Sequence, residues 1–209
     1  MSRAKSRPNR SKSVRRPRPT RAAARLRATA YHEAGHAVIG RRLTLVCGPA
    51  TIKPDYERRT AGQANSLEDF GRPDKYRSPN ARWRAQIIAT MAGAEAEEEL
   101  LGTKIEEGDR SDRRDIALMG AEIDAISEDQ FWERVEPRLR AMTRMLVRRH
   151  KALIERVAKS LLAKTTLSGP QLDKMVGVPE VKPYAYVKMD ENERKVLLAA
   201  LAKPISDEA

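Results

Sequence analysis

The sequence predicts a mostly helical protein with one small β-hairpin next to its first helix. Apolar residues recur every three or four positions over several long segments, which is the spacing of helices that bury one face. Only residues 50–54 and 60–64 read as strands, and a charged turn separates them. The first helix is predicted from about residue 20 to residue 45, after which the pair Gly48-Pro49 stops it.

The later elements follow from helix-start and helix-stop signals. Helices are predicted, in order, at residues 81–101, from Ser111 to about residue 123, at residues 128–164 (one helix or two), from Ser168 and from Asp190. Ser111 is typical of an N-cap, because Asp112 follows in the first turn, where the helix dipole favours an acid. Pro137 predicts a kink or a boundary. Of the four glutamates within residues 95–99, at least two are expected to be solvated.

The net charge of +12 is not spread evenly along the chain. Of the 41 Lys and Arg residues, eleven lie within residues 1–29, which contain no acid, and the other 30 face 29 acidic residues. Residues 1–19 hold little that could be buried, so we expect a disordered basic tail there. Residues 1–29 are therefore a candidate contact for nucleic acid or another anionic surface.

The length of the chain, 209 residues, predicts one folded domain, which we place at residues 20–177. A C-terminal extension with one helix is predicted at residues 178–209. Cys47 is the only cysteine, so no disulfide framework is encoded and a reducing compartment is expected. No apolar run approaches the ~18 residues of a membrane span, and no apolar segment of a secretory signal follows the basic start. We therefore expect a cytoplasmic protein without a membrane span.

The strongest chemical signal lies in the first helix. Between residues 28 and 40 the ionisable groups are Tyr31, His32, Glu33 and His36, and nearly all other residues are apolar or small. Burial of two imidazoles and a carboxylate is costly unless each finds a partner. The i, i+4 spacing places both histidines on one helix face, where they can bind a single Zn²⁺ ion. Glu33 can then take a proton from a water on the metal, as in the HExxH arrangement of metalloproteases.

A catalytic zinc site needs a third protein ligand and an open position. No histidine follows His36 closely, and His150 lies among basic residues of a predicted surface helix. A carboxylate from a later segment is therefore expected. The spacing leaves four alternatives open: Glu97, Glu98, Asp109 and Asp112.

Four segments resemble, in the same order, the peptidase domain of FtsH-type AAA zinc proteases. They are the His-Glu-Ala-Gly-His segment at residues 30–38, residues 91–98, residues 108–112 and residues 153–169, and the resemblance covers roughly residues 25–177. It implies a helical zincin-like peptidase domain in which Asp112, the aspartate of the Gly-x-x-x-Asp motif, is the third zinc ligand. It also implies that Glu97 and Glu98 lie near the site and that residues 50–66 form edge strands beside it.

The expected function is zinc-dependent endopeptidase activity on unfolded or flexible polypeptides, with Glu33 as the general base. No Gly-x-x-x-x-Gly-Lys-Ser/Thr loop occurs and the family's membrane anchor is missing, so we expect a stand-alone peptidase that works without ATP. Two alternatives remain. One is a nucleic-acid-associated protein whose zinc site is structural or whose peptidase core is inactive. The other is a regulatory protease that the basic tail directs to a single partner.

Overall fold

A computed structural model describes residues 20–45, 47–54, 62–66, 79–103, 109–126 and 132–177. The helices in these residues are α1 (Arg21–Arg42), α2 (Pro79–Leu101), α3 (Arg110–Ile126), α4 (Trp132–Arg149), α5 (Lys151–Lys164) and α6 (Gly169–Val176), and the strands are β1 (Cys47–Thr51), β2 (Gln63–Ser66) and β3 (Thr166–Leu167). The prediction of a mostly helical protein with a small antiparallel strand element is confirmed. The predicted basic tail at residues 1–19 and the C-terminal extension at residues 178–209 lie outside the described residues. None of the described helices has the length and apolar composition needed to cross a membrane.

Helix α1 begins as predicted, with Thr20 as its N-cap. The Thr20 hydroxyl accepts a hydrogen bond from the backbone N–H of Ala23 at 3.2 Å. Residues 21–27 are exposed, whereas nearly every residue from 28 to 41 is buried. The second part of α1 is therefore surrounded by the core, which explains why its residues are mostly apolar or small.

Small residues allow α1 and α2 to cross at very short range. A Cβ atom on Gly35 of α1 would collide with the carbonyl oxygen of Ala92 and lie 2.9 Å from the Cβ atom of Ala96. Only glycine permits so close an approach between the two backbones. As a result, the polar groups of α2 next to the crossing come within hydrogen-bond distance of α1.

The three strands form one antiparallel sheet in the order β2-β1-β3. Thr51 of β1 pairs with Gln63 of β2, so the predicted hairpin is present, with strand bounds shifted by two to three residues. Pro54 lies beyond the end of β1, as its missing N–H group requires. The sequence does not predict β3, which pairs with the other side of β1, because two residues are too few for a periodic pattern.

The glutamates of α2 are more buried than the sequence predicts. Of the four within residues 95–99, only Glu98 is exposed. Glu95 is 1% exposed and accepts hydrogen bonds from Arg140 at 2.9 Å and from Arg144 at 2.7 Å. Both arginines belong to α4, so these charge-assisted hydrogen bonds join α2 to α4.

The start of α3 differs from the prediction. Helix α3 begins at Arg110, so Asp109 rather than Ser111 occupies its N-cap position. Of the one or two helices predicted for residues 128–164, the described residues 132–164 contain two, α4 and α5, which are separated at His150. Pro137 is no boundary, because α4 continues through it and loses only the one hydrogen bond that the missing N–H group would make.

A buried arginine joins the end of α1 to β1 and α6. The side chain of Arg41 is 2% exposed and donates a hydrogen bond through Nε to Asp173 of α6 at 2.7 Å. Its Nη2 donates to the carbonyl oxygens of Gly48 at 2.9 Å and of Cys47 at 3.2 Å. Helix α6 begins close to the predicted position, with Ser168 as its N-cap, and the Ser168 hydroxyl accepts a hydrogen bond from the backbone N–H of Gln171.

Arg41→Ala is expected to lower the free energy of unfolding by on the order of 3 kcal/mol, because the buried carbonyl of Gly48 and the carboxylate of Asp173 lose their charged donor. Urea unfolding followed by circular dichroism measures this change. Arg42→Ala is the matched control, since Arg42 makes one exposed hydrogen bond to Gly177 and should contribute less than about 1 kcal/mol. Equal losses in both variants would contradict the role given to Arg41.

Candidate metal centre

Three side chains from two helices converge on one point. His32 and His36 lie one turn apart on the same face of α1, and Asp112 reaches them from the first turn of α3. Oδ2 of Asp112 lies 3.0 Å from Nε2 of His32 and 3.1 Å from Nε2 of His36. The ligand atoms of these three residues all lie within 4.8 Å of one another, which makes them a possible metal-binding group.

The opposite ring nitrogens of both histidines are held by acceptors from α2. Nδ1 of His32 lies 2.7 Å from Oε1 of Glu97, and Nδ1 of His36 lies 2.8 Å from the carbonyl oxygen of Ala89. Because carbonyl and carboxylate oxygens accept, each Nδ1–H group donates. A neutral imidazole that donates from Nδ1 carries its lone pair on Nε2, the atom directed at Asp112. Helix α2 thus holds both rings in the tautomer and orientation that a metal ligand needs.

The charges of this group stabilise one another. Burial by itself lowers the pKa of His32, but hydrogen bonds to Asp112 and Glu97 outweigh burial and raise this pKa to about 10. Burial by itself raises the pKa of Asp112, but the charge of His36 and hydrogen bonds from both imidazoles hold that pKa well below its usual range. The arrangement therefore favours positive charge at this point, which protons or a metal cation can supply.

The distances from Asp112 Oδ2 to the two imidazole nitrogens are compatible with a tetrahedral metal ion. Ligand atoms about 2.0–2.1 Å from such an ion lie roughly 3.3 Å from each other. The two distances from Asp112 Oδ2 to the imidazole nitrogens, 3.0 Å and 3.1 Å, are close to that value. Two imidazole nitrogens and one carboxylate oxygen are also a donor set found in metal sites with three protein ligands. The side chains present thus fit a divalent metal ion.

Gly93 of α2 leaves the space that the histidine rings occupy. A Cβ atom on Gly93 would collide with Nε2 of His36 and lie 2.7 Å from Nε2 of His32. Glycine inside a helix costs about 1 kcal/mol relative to alanine, so its presence there needs a compensating reason. Gly93 is not among the predicted site residues, although a glycine in the interior of a long helix is the signal that could have identified it.

Glu33 is buried beside the metal-binding group without joining it. The residue is 5% exposed, and its Oε2 atom has no hydrogen-bond partner among the described residues. Burial raises the pKa of Glu33 to about 7, although the charges of His36 and His32 partly oppose this shift. An unpaired carboxylate oxygen in a core is costly, so the burial of Glu33 needs a compensating reason.

Of the four predicted carboxylates, two contact the histidines and the other two form ion pairs with arginines. Asp112 contributes a carboxylate oxygen to the metal-binding group, and Glu97 accepts a hydrogen bond from Nδ1 of His32. Glu98 is exposed, and its carboxylate lies 4.0 Å from Arg144 of α4 instead. Asp109 is buried immediately before α3 and forms an ion pair with Arg113 of that helix. Of the four alternatives that the spacing leaves open, Asp112 is thus the one in the group.

Comparison with known proteins gives no family assignment. No protein-family model matches the chain, and no curated protein matches it. The resemblance to FtsH-type peptidases therefore stays a proposal, and the positions of the side chains around His32 and His36 carry the chemical interpretation.

We expect the purified protein to bind one divalent metal ion per chain, measured by inductively coupled plasma mass spectrometry. His32→Ala and His36→Ala each remove a ligand nitrogen and should abolish binding. Asp112→Asn should weaken binding, because an amide oxygen lacks the carboxylate charge. Glu97→Gln should lower the affinity by about 10- to 100-fold, since the partner that orients His32 loses its charge.

The matched control is Glu98→Gln, which changes a neighbouring residue of α2 that faces away from the histidines and should leave the affinity unchanged. Full metal retention in Asp112→Asn together with loss in Glu97→Gln or Glu98→Gln would instead assign the third ligand to the glutamates of α2.

Proposed function

We propose that this protein is a zinc-dependent endopeptidase that hydrolyses unfolded or flexible polypeptides. The observation that carries the proposal is the buried carboxylate of Glu33, whose Oε2 has no hydrogen-bond partner among the described residues. It lies one residue from His32, in the helix that supplies two members of the metal-binding group. A site that holds metal only for stability needs no such base.

Zinc is the proposed metal because of the number and type of the ligands. Structural zinc sites are closed by four protein ligands, whereas catalytic sites have three and keep one position open. The group in the described part of the chain has three members, two imidazoles and one carboxylate. This composition supports a catalytic site rather than a structural one.

Each side chain then has one task. His32, His36 and Asp112 hold the metal, and Glu97 and the carbonyl group of Ala89 keep the two imidazoles oriented. Bound zinc would supply a Lewis acid that lowers the pKa of a water molecule and polarises the scissile carbonyl group. Glu33 accepts the proton of the attacking water and later delivers it to the leaving amine.

The proposed family is the peptidase domain of FtsH-type zinc proteases, with a zincin-like fold. The support is the order of the four similar segments and the position of Asp112 beside both histidines. No phosphate-binding loop occurs in the sequence, so hydrolysis by this chain should not depend on ATP. The single cysteine, Cys47, supports a reducing compartment such as the cytoplasm.

Glu33→Gln tests the proposal directly. This substitution keeps the size of the side chain and removes the base, while both histidines and Asp112 remain. Zinc content and unfolding midpoint should therefore stay close to those of the wild type. Hydrolysis of casein should fall by roughly a hundredfold or more. Added ATP should change the rate of neither protein, and compact proteins should resist cleavage by both.

Two results would contradict the protease assignment. One is a zinc-loaded wild type that cuts neither unfolded casein nor any member of a peptide library. The other is a Glu33→Gln variant that retains both zinc and full activity. A chelator control on the wild type separates zinc-dependent hydrolysis from that of a contaminating protease.

A second candidate function, binding of nucleic acid, has support from the first turns of α1. Arg21, Arg25 and Arg27 lie in a stretch, residues 21–27, in which every residue is exposed. They continue the basic run of residues 1–19, and no acid occurs before Glu33. In this interpretation the N-terminal segment binds nucleic acid, and the peptidase core is inactive or acts on one bound partner.

Deleting residues 1–19 separates the two functions. Peptide hydrolysis and the unfolding midpoint should remain nearly unchanged, because the predicted tail has little apolar surface to pack. If the tail binds nucleic acid, affinity of the full chain for a fluorescent DNA duplex should fall steeply with salt concentration and should drop strongly on deletion, because only Arg21, Arg25 and Arg27 of the basic run remain. Tight DNA binding by the truncated protein would place the basic surface in the folded body instead.

A further inference from the structure

The carboxylate of Glu33 lies against the backbone of Gly62, the residue before β2. A Cβ atom on Gly62 would lie 2.7 Å from Oε1 of Glu33 and 2.9 Å from its Cγ atom. It would also lie 2.8 Å from the carbonyl oxygen of Thr51. Real Cβ atoms essentially never approach other atoms so closely, so position 62 has room for glycine alone.

The sheet determines where Gly62 lies. The next residue, Gln63, pairs with Thr51 across the antiparallel β1–β2 ladder, so the backbone of Gly62 is held beside β1. The other side of the contact is equally constrained, because Glu33 belongs to the buried part of α1. Two rigid elements thus meet at Gly62 and the Glu33 carboxylate, and the space between them admits no additional methyl group.

We propose that Gly62 is a positioning residue for Glu33, an inference that rests on the proposed peptidase function. By lacking a side chain, Gly62 leaves the volume in which Oε1 of Glu33 lies. A methyl group there would push the carboxylate towards other positions, away from the geometry needed to accept a proton. The metal ligands His32, His36 and Asp112 are not among the atoms nearest to this methyl group. The expected defect is therefore in proton transfer and not in zinc binding.

Gly62→Ala should lower kcat by roughly 10- to 100-fold, because misplacing a reacting group by about 1 Å has an effect of this order. KM and zinc content should stay close to the wild-type values. If Gly62 acts through Glu33, the effects of the two substitutions are not additive. Gly62→Ala should then cause no further loss of kcat in a Glu33→Gln background.

A readout that does not depend on activity is the coupling of the two positions in urea unfolding. Gly62→Ala should lower the unfolding midpoint in the wild type and lower it less in a Glu33→Ala background, where the shortened side chain no longer collides with the methyl group. Gly102→Ala is the matched control. Gly102 has a φ of +67° and no atom within 4 Å of an added Cβ, so its cost should be the same in both backgrounds.

Three results would each overturn the proposal. The first is an unchanged kcat in Gly62→Ala, and the second is a loss of zinc from that variant. The third is a loss of kcat, on adding Gly62→Ala to Glu33→Gln, as large as the loss in the wild type. If Gly62→Ala does not fold, the Gly62→Ala/Glu33→Ala double variant should fold, and its failure to do so would overturn the proposal as well. An inactive wild type would contradict the peptidase function, whereas coupling in unfolding would still support the placement of Glu33 by Gly62. The two failures are therefore distinguishable.

Discussion

The close crossing of α1 and α2 is the constraint on which the rest of the structure depends. Gly35 lies so near the backbone of Ala92 that no larger residue fits between the helices. Because the helices are so close, Nδ1 of His36 donates to the carbonyl oxygen of Ala89, and Nδ1 of His32 donates to the carboxylate of Glu97. These two residues of α2 lie on either side of the crossing. Polar groups that would be too costly to bury alone thus find partners inside the helix pair.

The balance of charge around the histidines follows from the same burial. Three carboxylates, those of Glu33, Glu97 and Asp112, surround two imidazoles in the core. Two imidazolium ions supply the same charge as one divalent cation beside two neutral imidazoles. The same set of acids therefore suits either state, and metal binding requires only that the cation replace the protons on Nε2. Elsewhere on α2, the buried carboxylate of Glu95 is likewise paired with positive charge, since it accepts hydrogen bonds from two arginines of α4.

Four elements of the fold contribute to the site. Helix α1 supplies the i, i+4 pair of imidazoles, α2 orients them, and α3 brings Asp112 to their Nε2 atoms. The small sheet is the fourth side, because its pairing holds Gly62 against Glu33. Glycines at positions 35, 62 and 93 lie where these elements meet. Side chains at 62 and 93 would occupy the space of Glu33 and of the histidine rings, and one at 35 would collide with α2.

The sequence by itself determined α1, the hairpin and the common face of the two histidines, because helix propensity and the i, i+4 relation depend only on neighbouring residues. Spacing could not choose between Asp112 and the other carboxylates, since distance along the chain does not say which later segment meets α1. Nor could it separate Glu97 from Glu98. These neighbours differ by about 100° around α2, so one faces the histidines while the other faces solvent. The roles of Gly62 and Gly93 and the pairing of β3 were likewise decided only by the tertiary structure, because each depends on contact between segments far apart in the chain.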